Sequence, residues 1–268
     1  MIEVYYAPPS LYGRKVLAVL MEKNLDYTIK AMSFMAGDHK KPEYLKLNPN
    51  GQIPTLVDEG VVIYESTAIA EYFRDRDKKV MLMMDSVTRF ALAQREIGLA
   101  VGEPPTTRGY TPSVFSLLPK LLERAGTARK GSITGIYTVL VEGGDMDEPV
   151  ADAVRGILDG HLVLSRDLAH QNIYPAVDIL SSISRLMPEI CNKAHFEMAG
   201  KLRNIYSTYV KNADAISLGA YKTGSDPKID EAIQKEPLIE SLIRQGINES
   251  VAYEKSIEAL SKIVGHGG

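Results

Sequence analysis

Apolar and polar residues alternate along residues 2–7 (IEVYYA), the period of a short strand, and the pattern stops at Pro8-Pro9. Between Ser10 and Lys23 the period becomes helical, with Val16, Leu17, Val19, Leu20 and Met21 on the apolar side. Residues 27–33 predict a second strand. The stretch from Gly37 to Asn50 is polar, is broken by Pro42 and Pro49, and has room for one short helix. Thr55–Asp58 and Val61–Tyr64 are short apolar runs joined by Glu59-Gly60, a hairpin signal. A helix over 67–77 follows.

From Val80 the pattern changes to buried strands alternating with amphipathic helices. Val80–Met84 is apolar throughout and ends in Asp85, as a central parallel strand would. Helices are expected over 88–101 and 112–125, separated by the Pro104-Pro105 loop, then a strand over 132–141, a helix over 147–158 and a strand over 161–164. After Pro188 helical periodicity dominates. This order predicts an α/β fold with a helical C-terminal part. Two sheets are expected: four strands within 1–64, and a separate parallel sheet holding 80–84, 132–141 and 161–164. The helix at 67–77 should bridge them, and residues 265–268 should fray.

Composition narrows the function classes without choosing one. The chain has 268 residues, is 45% hydrophobic and 24% charged, and has a net charge of −3, so no bulk attraction to nucleic acid or an acidic membrane is expected. One cysteine, Cys191, cannot form an internal disulfide and fits a reducing, cytoplasmic setting. No leader pattern opens the sequence, and no apolar run approaches the roughly 20 residues of a membrane span.

Three separated motifs, YYAPPSLYGRKV, HKKPEYLKLNPNGQIPTL and YESTAIAEYF, occur in the order seen in the N-terminal thioredoxin-like domain of glutathione transferases, which residues 1–73 resemble. The serine-type classes are nearest. The resemblance implies that the Ser10 hydroxyl polarises the glutathione sulfur at a helix N-terminus. Read alone, Ser10 is a helix N-cap, and Tyr6 is the other hydroxyl that transferases place near this strand. Ile53-Pro54 matches a cis proline that frees the residue 53 backbone for the cysteinyl part of glutathione. Glu65 and Ser66 match the residues that hold its γ-glutamyl end. His39, Lys40 and Gln52 match contacts to the peptide and its glycyl carboxylate, although Lys40 reads equally well as a solvated surface charge. The helical second domain that covers the thiol in transferases has no counterpart after Asp77.

From about residue 67 to 264 the stretches VMLMMDSVTRFALAQREIGLAVGEPPTTRGYTPSVF, KGSITGIYTVLVEGGDM, YPAVDILSSISR and LGAYKTGSDPKID resemble the C-terminal portion of the flagellar and type III secretion export ATPases, relatives of the rotary ATPase β subunit. The resemblance implies that Asp85 is the Walker B acid that holds Mg²⁺. By the same resemblance Arg89 lies near the γ-phosphate, Tyr174 stacks on adenine, and Arg185 is a finger reaching a neighbouring subunit's nucleotide. Taken singly, these residues read as a cap acid, a salt-bridged helix arginine, a core tyrosine and a surface arginine. The phosphate loop Gly-x-x-x-x-Gly-Lys-Ser/Thr is missing: the one Gly-Lys pair, Gly200-Lys201, is followed by Leu202.

Both parents carry a helix like TAIAEYF, so the chain reads as a chimera joined there. Three domains are expected: a thioredoxin-like glutathione-site domain over 1–73, a partial RecA-like ATPase core over 74–188, and a helical domain over 189–268. No efficient catalysis and no required cofactor are expected, with Mg-ATP belonging to the parent ATPase. The partners implied are glutathione, bound weakly, and intact ATPase subunits.

Overall fold

In the computed structural model, residues 2–22 and 25–265 are described, and the chain forms two compact units, 1–157 and 158–268. The first begins with β1 (Ile2–Tyr6), α1 (Leu11–Glu22), β2 (Tyr27–Ala31), α2 (Pro42–Leu45), β3 (Thr55–Asp58) and β4 (Val61–Tyr64). These strands make one sheet in the order β2-β1-β3-β4. β1 runs parallel to β2 and antiparallel to β3, and β3 is antiparallel to β4. The β3–β4 turn has positive φ at both Glu59 and Gly60 (49° and 83°), the geometry that the right-handed twist of a tight hairpin prefers.

The unit continues through α3 (Ser66–Arg74), β5 (Lys79–Asp85), α4 (Val87–Ala100), α5 (Pro112–Leu122), β6 (Gly126–Thr127), β7 (Ser132–Thr138) and α6 (Pro149–Ile157). The second sheet has the order β5-β7-β6, with β5 parallel to β7 from Lys79↔Ser132 to Asp85↔Thr138. β6 is antiparallel to β7 and too short to carry a periodicity, so the sequence pattern misses it.

One buried cluster joins both sheets. Val4 and Leu56 from the first sheet, Val80 and Ile133 from the second, and Ile69 and Phe73 from α3 all belong to it. Burying side chains of this size contributes about 1.5–3 kcal/mol each. The expected apolar side of α1 is partly confirmed: Val16 and Leu20 are buried, but Met21 is 64% exposed. The Val19 side chain lies outside the described residues, as do residues 23–24 and 266–268.

The second unit holds β8 (Gly160–Leu164), α7 (Arg166–His170), β9 (Val177–Ser184), α8 (Met187–Ile190), α9 (Lys193–Ser217), α10 (Pro227–Ile243) and α11 (Tyr253–Val264). Here the expectation is corrected. Residues 161–164 do not join a parallel sheet with 80–84 and 132–141; β8 pairs antiparallel with β9 in a sheet of its own. β9 escapes the sequence pattern because its polar Ser181, Ser182 and Ser184 break the alternation. Those hydroxyls are used locally: Asp178 accepts from the Ser181 hydroxyl at 2.6 Å, and the Ser182 hydroxyl accepts from the Val163 amide at 2.9 Å. The helices after Pro188 appear as expected, with Leu202, Ile205, Ala232, Ile239 and Ile263 in their shared core. Among the described residues no helix is long and apolar enough to cross a membrane.

Arg124 ties the end of α5 to α3 by a two-pronged bond, Nε to Glu71 Oε1 and an Nη to Glu71 Oε2, both at 2.9 Å. The Arg124 hydrogen bond, aided by its charge, holds the Glu71 carboxyl below its ordinary 4.5, against a smaller desolvation effect. A folded value below the unfolded one means that the stabilisation is present above about pH 4.5 and fades as pH falls through the lower folded value. Both side chains are partly exposed, so the bond is expected to contribute under about 1 kcal/mol. Denaturant unfolding should show Glu71→Gln less stable than the unaltered chain at pH 7, with the difference shrinking as pH falls below about 4.5.

Candidate functional site

The transferase-like residues gather at one end of the first sheet because the strand register puts them there. Tyr5 faces Thr55 and Thr55 faces Tyr64, so the segments just beyond these residues, which hold Ala7, Pro54 and Glu65, leave the sheet at the same end. Ser10 follows the Pro8-Pro9 turn, its amide held by the Ala7 carbonyl at 2.9 Å. The buried Ser10 hydroxyl does cap α1, accepting from the Gly13 amide at 3.0 Å. It also points its own proton at the Ile53 carbonyl, 3.5 Å away. Capping and donation therefore coexist in one hydroxyl, since the oxygen accepts from Gly13 while the proton faces Ile53. Tyr6 turns elsewhere: its ring lies over Gly13, where a Cβ would come within 2.6 Å, and its hydroxyl donates to Pro8 at 3.4 Å.

The Ile53-Pro54 peptide is cis. The loop before it is fixed by buried groups that the sequence pattern did not single out. The Asn48 amide, 1% exposed, donates to the Gln52 carbonyl at 2.9 Å and to the Thr55 hydroxyl at 3.1 Å. The Tyr44 hydroxyl bonds to the same two groups. The Gln52 side chain is exposed. Gly51 has φ 59°, and a Cβ there would stand 2.8 Å from the His39 carbonyl and 3.0 Å from Lys40 Nζ. The absence of a side chain thus brings residues 39 and 40 onto the loop. The His39 ring stands edge-on to Phe34 at 5.1 Å, and its buried Nδ1 has no hydrogen-bond partner.

Glu65 precedes α3 with φ 73° and ψ 122°, an unusual backbone for a residue with a side chain. Holding it there costs about 1–3 kcal/mol. Its exposed side chain leaves the α3 N-terminus uncapped. The Ser66 side chain lies outside the described residues.

The ATPase-like residues fall in both units. Asp85 ends β5 with its side chain exposed, and Ser86 caps α4, accepting from the Arg89 amide at 3.3 Å. Arg89 is exposed on the first turn of α4. The buried Thr88 locks this turn to the end of β7, donating to the Leu140 carbonyl at 3.2 Å and accepting from its amide at 2.8 Å. A threonine inside DSVTRF carries no sequence signal for that lock, because its partner is 52 residues away. In the second unit Tyr174 is half exposed, precedes cis Pro175, and accepts from the Gln245 amide at 2.7 Å. Arg185 follows β9, its amide on the Asp159 carbonyl at 2.8 Å. Arg203 from α9 clamps β9 just ahead of it, donating to the carbonyls of Leu180 and Ser182 at 2.9 and 2.8 Å. Among the described residues no group of three or more His, Cys, Asp or Glu stands together as a metal cage.

Replacing Asn48 with Ala removes one of the two partners from the Gln52 carbonyl and Thr55 hydroxyl in a dry site. The expected cost is about 1–3 kcal/mol of unfolding free energy, measured by denaturant titration. Gln52→Ala, which keeps the carbonyl and loses only an exposed side chain, should stay within about 0.5 kcal/mol of the unaltered chain.

Three protein-family models match the chain. Residues 55–184 match the ATP synthase alpha/beta family nucleotide-binding domain, residues 191–262 the T3SS EscN ATPase C-terminal domain, and residues 9–76 the glutathione S-transferase N-terminal domain. The flagellum-specific ATP synthase of Bacillus subtilis is 58% identical over 203 residues, which are 76% of this chain and 46% of that protein. The structure of the assembled ATPase EscN from the enteropathogenic E. coli type III secretion system superposes with a TM-score of 0.72 at 51% identity, covering 75% of this chain and 48% of that one. EscN in complex with its central stalk EscO gives 0.67 at 37% identity, covering 98% and 66%. The chain spans less than half the length of the Bacillus subtilis relative. Its homologues over three-quarters of its length are the flagellar and type III secretion ATPases, and a stretch matching the glutathione S-transferase N-terminal domain precedes and overlaps that region.

Proposed function

We propose that this chain is a fusion of two partial enzyme folds, the larger related to the protein-export ATPases, with no efficient catalysis of its own. The observation that carries this reading is the overlap of the two family matches at residues 55–76, in a sequence with no phosphate loop. That loop would supply the backbone N–H cradle and lysine for the β- and γ-phosphates. Without it, Asp85 and Arg89 in the first unit, and Tyr174 and Arg185 in the second, lack the element that grips the phosphates. The domain boundaries that follow are 1–73, 74–188 and 189–268, and the setting is cytoplasmic. Purified protein should release no phosphate from Mg-ATP above background, and Asp85→Ala should leave that baseline unchanged. Steady hydrolysis abolished by Asp85→Ala would sink the reading.

A second reading rests on the transferase-like end of the first sheet. There Ser10 holds a donor toward the exit of β1, Ile53 sits before the cis proline, and His39 Nδ1 lacks a partner. These groups suit glutathione, with the Ser10 hydroxyl donating to the thiolate sulfur and Glu65 and Ser66 receiving the γ-glutamyl end at the N-terminus of α3. The sequence after Asp77 matches the ATPase family rather than a transferase's second domain, so the substrate-positioning contribution to catalysis is not expected. Calorimetry should give weak glutathione binding, weakened further by about tenfold in Ser10→Ala, the loss of a charge-assisted hydrogen bond. Conjugation of an aromatic halide should be negligible. Absence of binding heat from folded protein would remove this reading and leave the first untouched.

Association with intact export ATPase subunits is the third reading. It is supported by likeness to EscN solved in an assembled state, and Arg185 would then face a neighbour's nucleotide.

A further inference from the structure

We propose that the open edge of β5 pairs with the same edge of a second copy of this chain, joining two three-stranded sheets into one. β5 stands at the end of the order β5-β7-β6, so one of its edges has no strand beside it. Among the described residues, the backbone bonds outside regular structure in this neighbourhood are those of Lys78, which do not reach the β5 edge. A seven-residue strand edge, apolar at its five central positions and with unmet N–H and C=O groups, is a template for another strand.

The residues along this edge select the occupant. The strand reads Lys79-Val80-Met81-Leu82-Met83-Met84-Asp85. A two-fold axis at Leu82 runs two copies antiparallel and puts Lys79 opposite Asp85 at both ends. Met81 then faces Met83 of the other copy, and Leu82 faces Leu82. Lys79, Met81, Met83 and Asp85 already share one face, and all four are exposed, the two methionines at 51% and 53%. Neither Lys79 nor Asp85 forms a salt bridge among the described residues. Pairing therefore gives each charge an opposite partner and covers the exposed methionines with one another. Neighbouring registers lose this match. Centring on Met81 sets Asp85 against Asp77, and centring on Met83 leaves Lys79 opposite Val87. Like charges directly opposite are destabilising and unlike charges stabilising, so the pattern fixes register as well as partner.

Sedimentation velocity on the full chain over a range of concentrations tests this. The unaltered protein should pass from monomer to dimer as concentration rises. Asp85→Lys and Lys79→Asp should each weaken dimerisation about tenfold or more, since each places like charges at both ends of the pairing. An equimolar mixture of the two variants should regain the original tightness, because their edges complement one another. Hydrogen exchange on the unaltered protein gives a check that needs no variant: amides of β5 should gain protection as concentration rises. A monomer at every concentration overturns the proposal. So do a larger oligomer indifferent to the charge reversals, folded variants that do not recover on mixing, and β5 amides indifferent to concentration.

Discussion

The first unit depends on the burial of Ile69 and Phe73 in a cluster shared by two sheets. A four-stranded sheet with a single pair of helices has little core of its own, and small cores are marginal. The second sheet, with three strands of which one has two residues, has less. The helix whose Ile69 and Phe73 share one buried cluster with Val4, Leu56, Val80 and Ile133 gives both sheets a common interior. The Glu71–Arg124 bond and the Gly131 amide on the Asp77 carboxylate at 3.0 Å fasten its far end. The helix needs only local apolar spacing to do this, which explains how one string of residues satisfies two family patterns at once.

That compromise has a cost at the edge of the second sheet. β5 is apolar in its five central residues as an interior strand is, yet among the described residues it has β7 on one side and no strand on the other. The residues of the open face, Met81, Met83 and Ile136, are about half exposed. Local consistency of pattern and propensity is therefore kept while strand pairing is left incomplete. An edge of this kind is managed by charge or by a partner. Here the charges stand only at the two ends of the strand.

The two candidate sites differ in how they are built. The transferase-like groups are held by short-range geometry: a hydroxyl three residues from its capped amide, a cis peptide, and a loop pinned by Asn48 and Tyr44. All of it lies within the first 65 residues. The ATPase-like groups are held by long-range bonds, Thr88 to Leu140 and Arg203 to β9, and they are distributed over both units.

Much of this was legible in the residues alone. The β1, β3, β4, β5 and β7 strands, the hairpin at Glu59-Gly60 and the helical C-terminal part follow from period and turn chemistry, which act over a few residues. Ser10, Pro54, Glu65 and Asp85 were singled out by the likeness of their surrounding motifs to two families, which period and turn chemistry alone do not supply. The sequence could not place β8 against β9, because an apolar run marks a strand without naming its neighbour or which residues it buries (Leu162 and Leu164 are 77% and 73% exposed), and the serines of β9 hide its alternation. Nor could it single out Asn48, Thr88 or Arg203, whose partners are carbonyls and hydroxyls brought near by the fold. Periodicity determined which segments form strands and helices; only tertiary packing decided which of their apolar residues are covered, and by what.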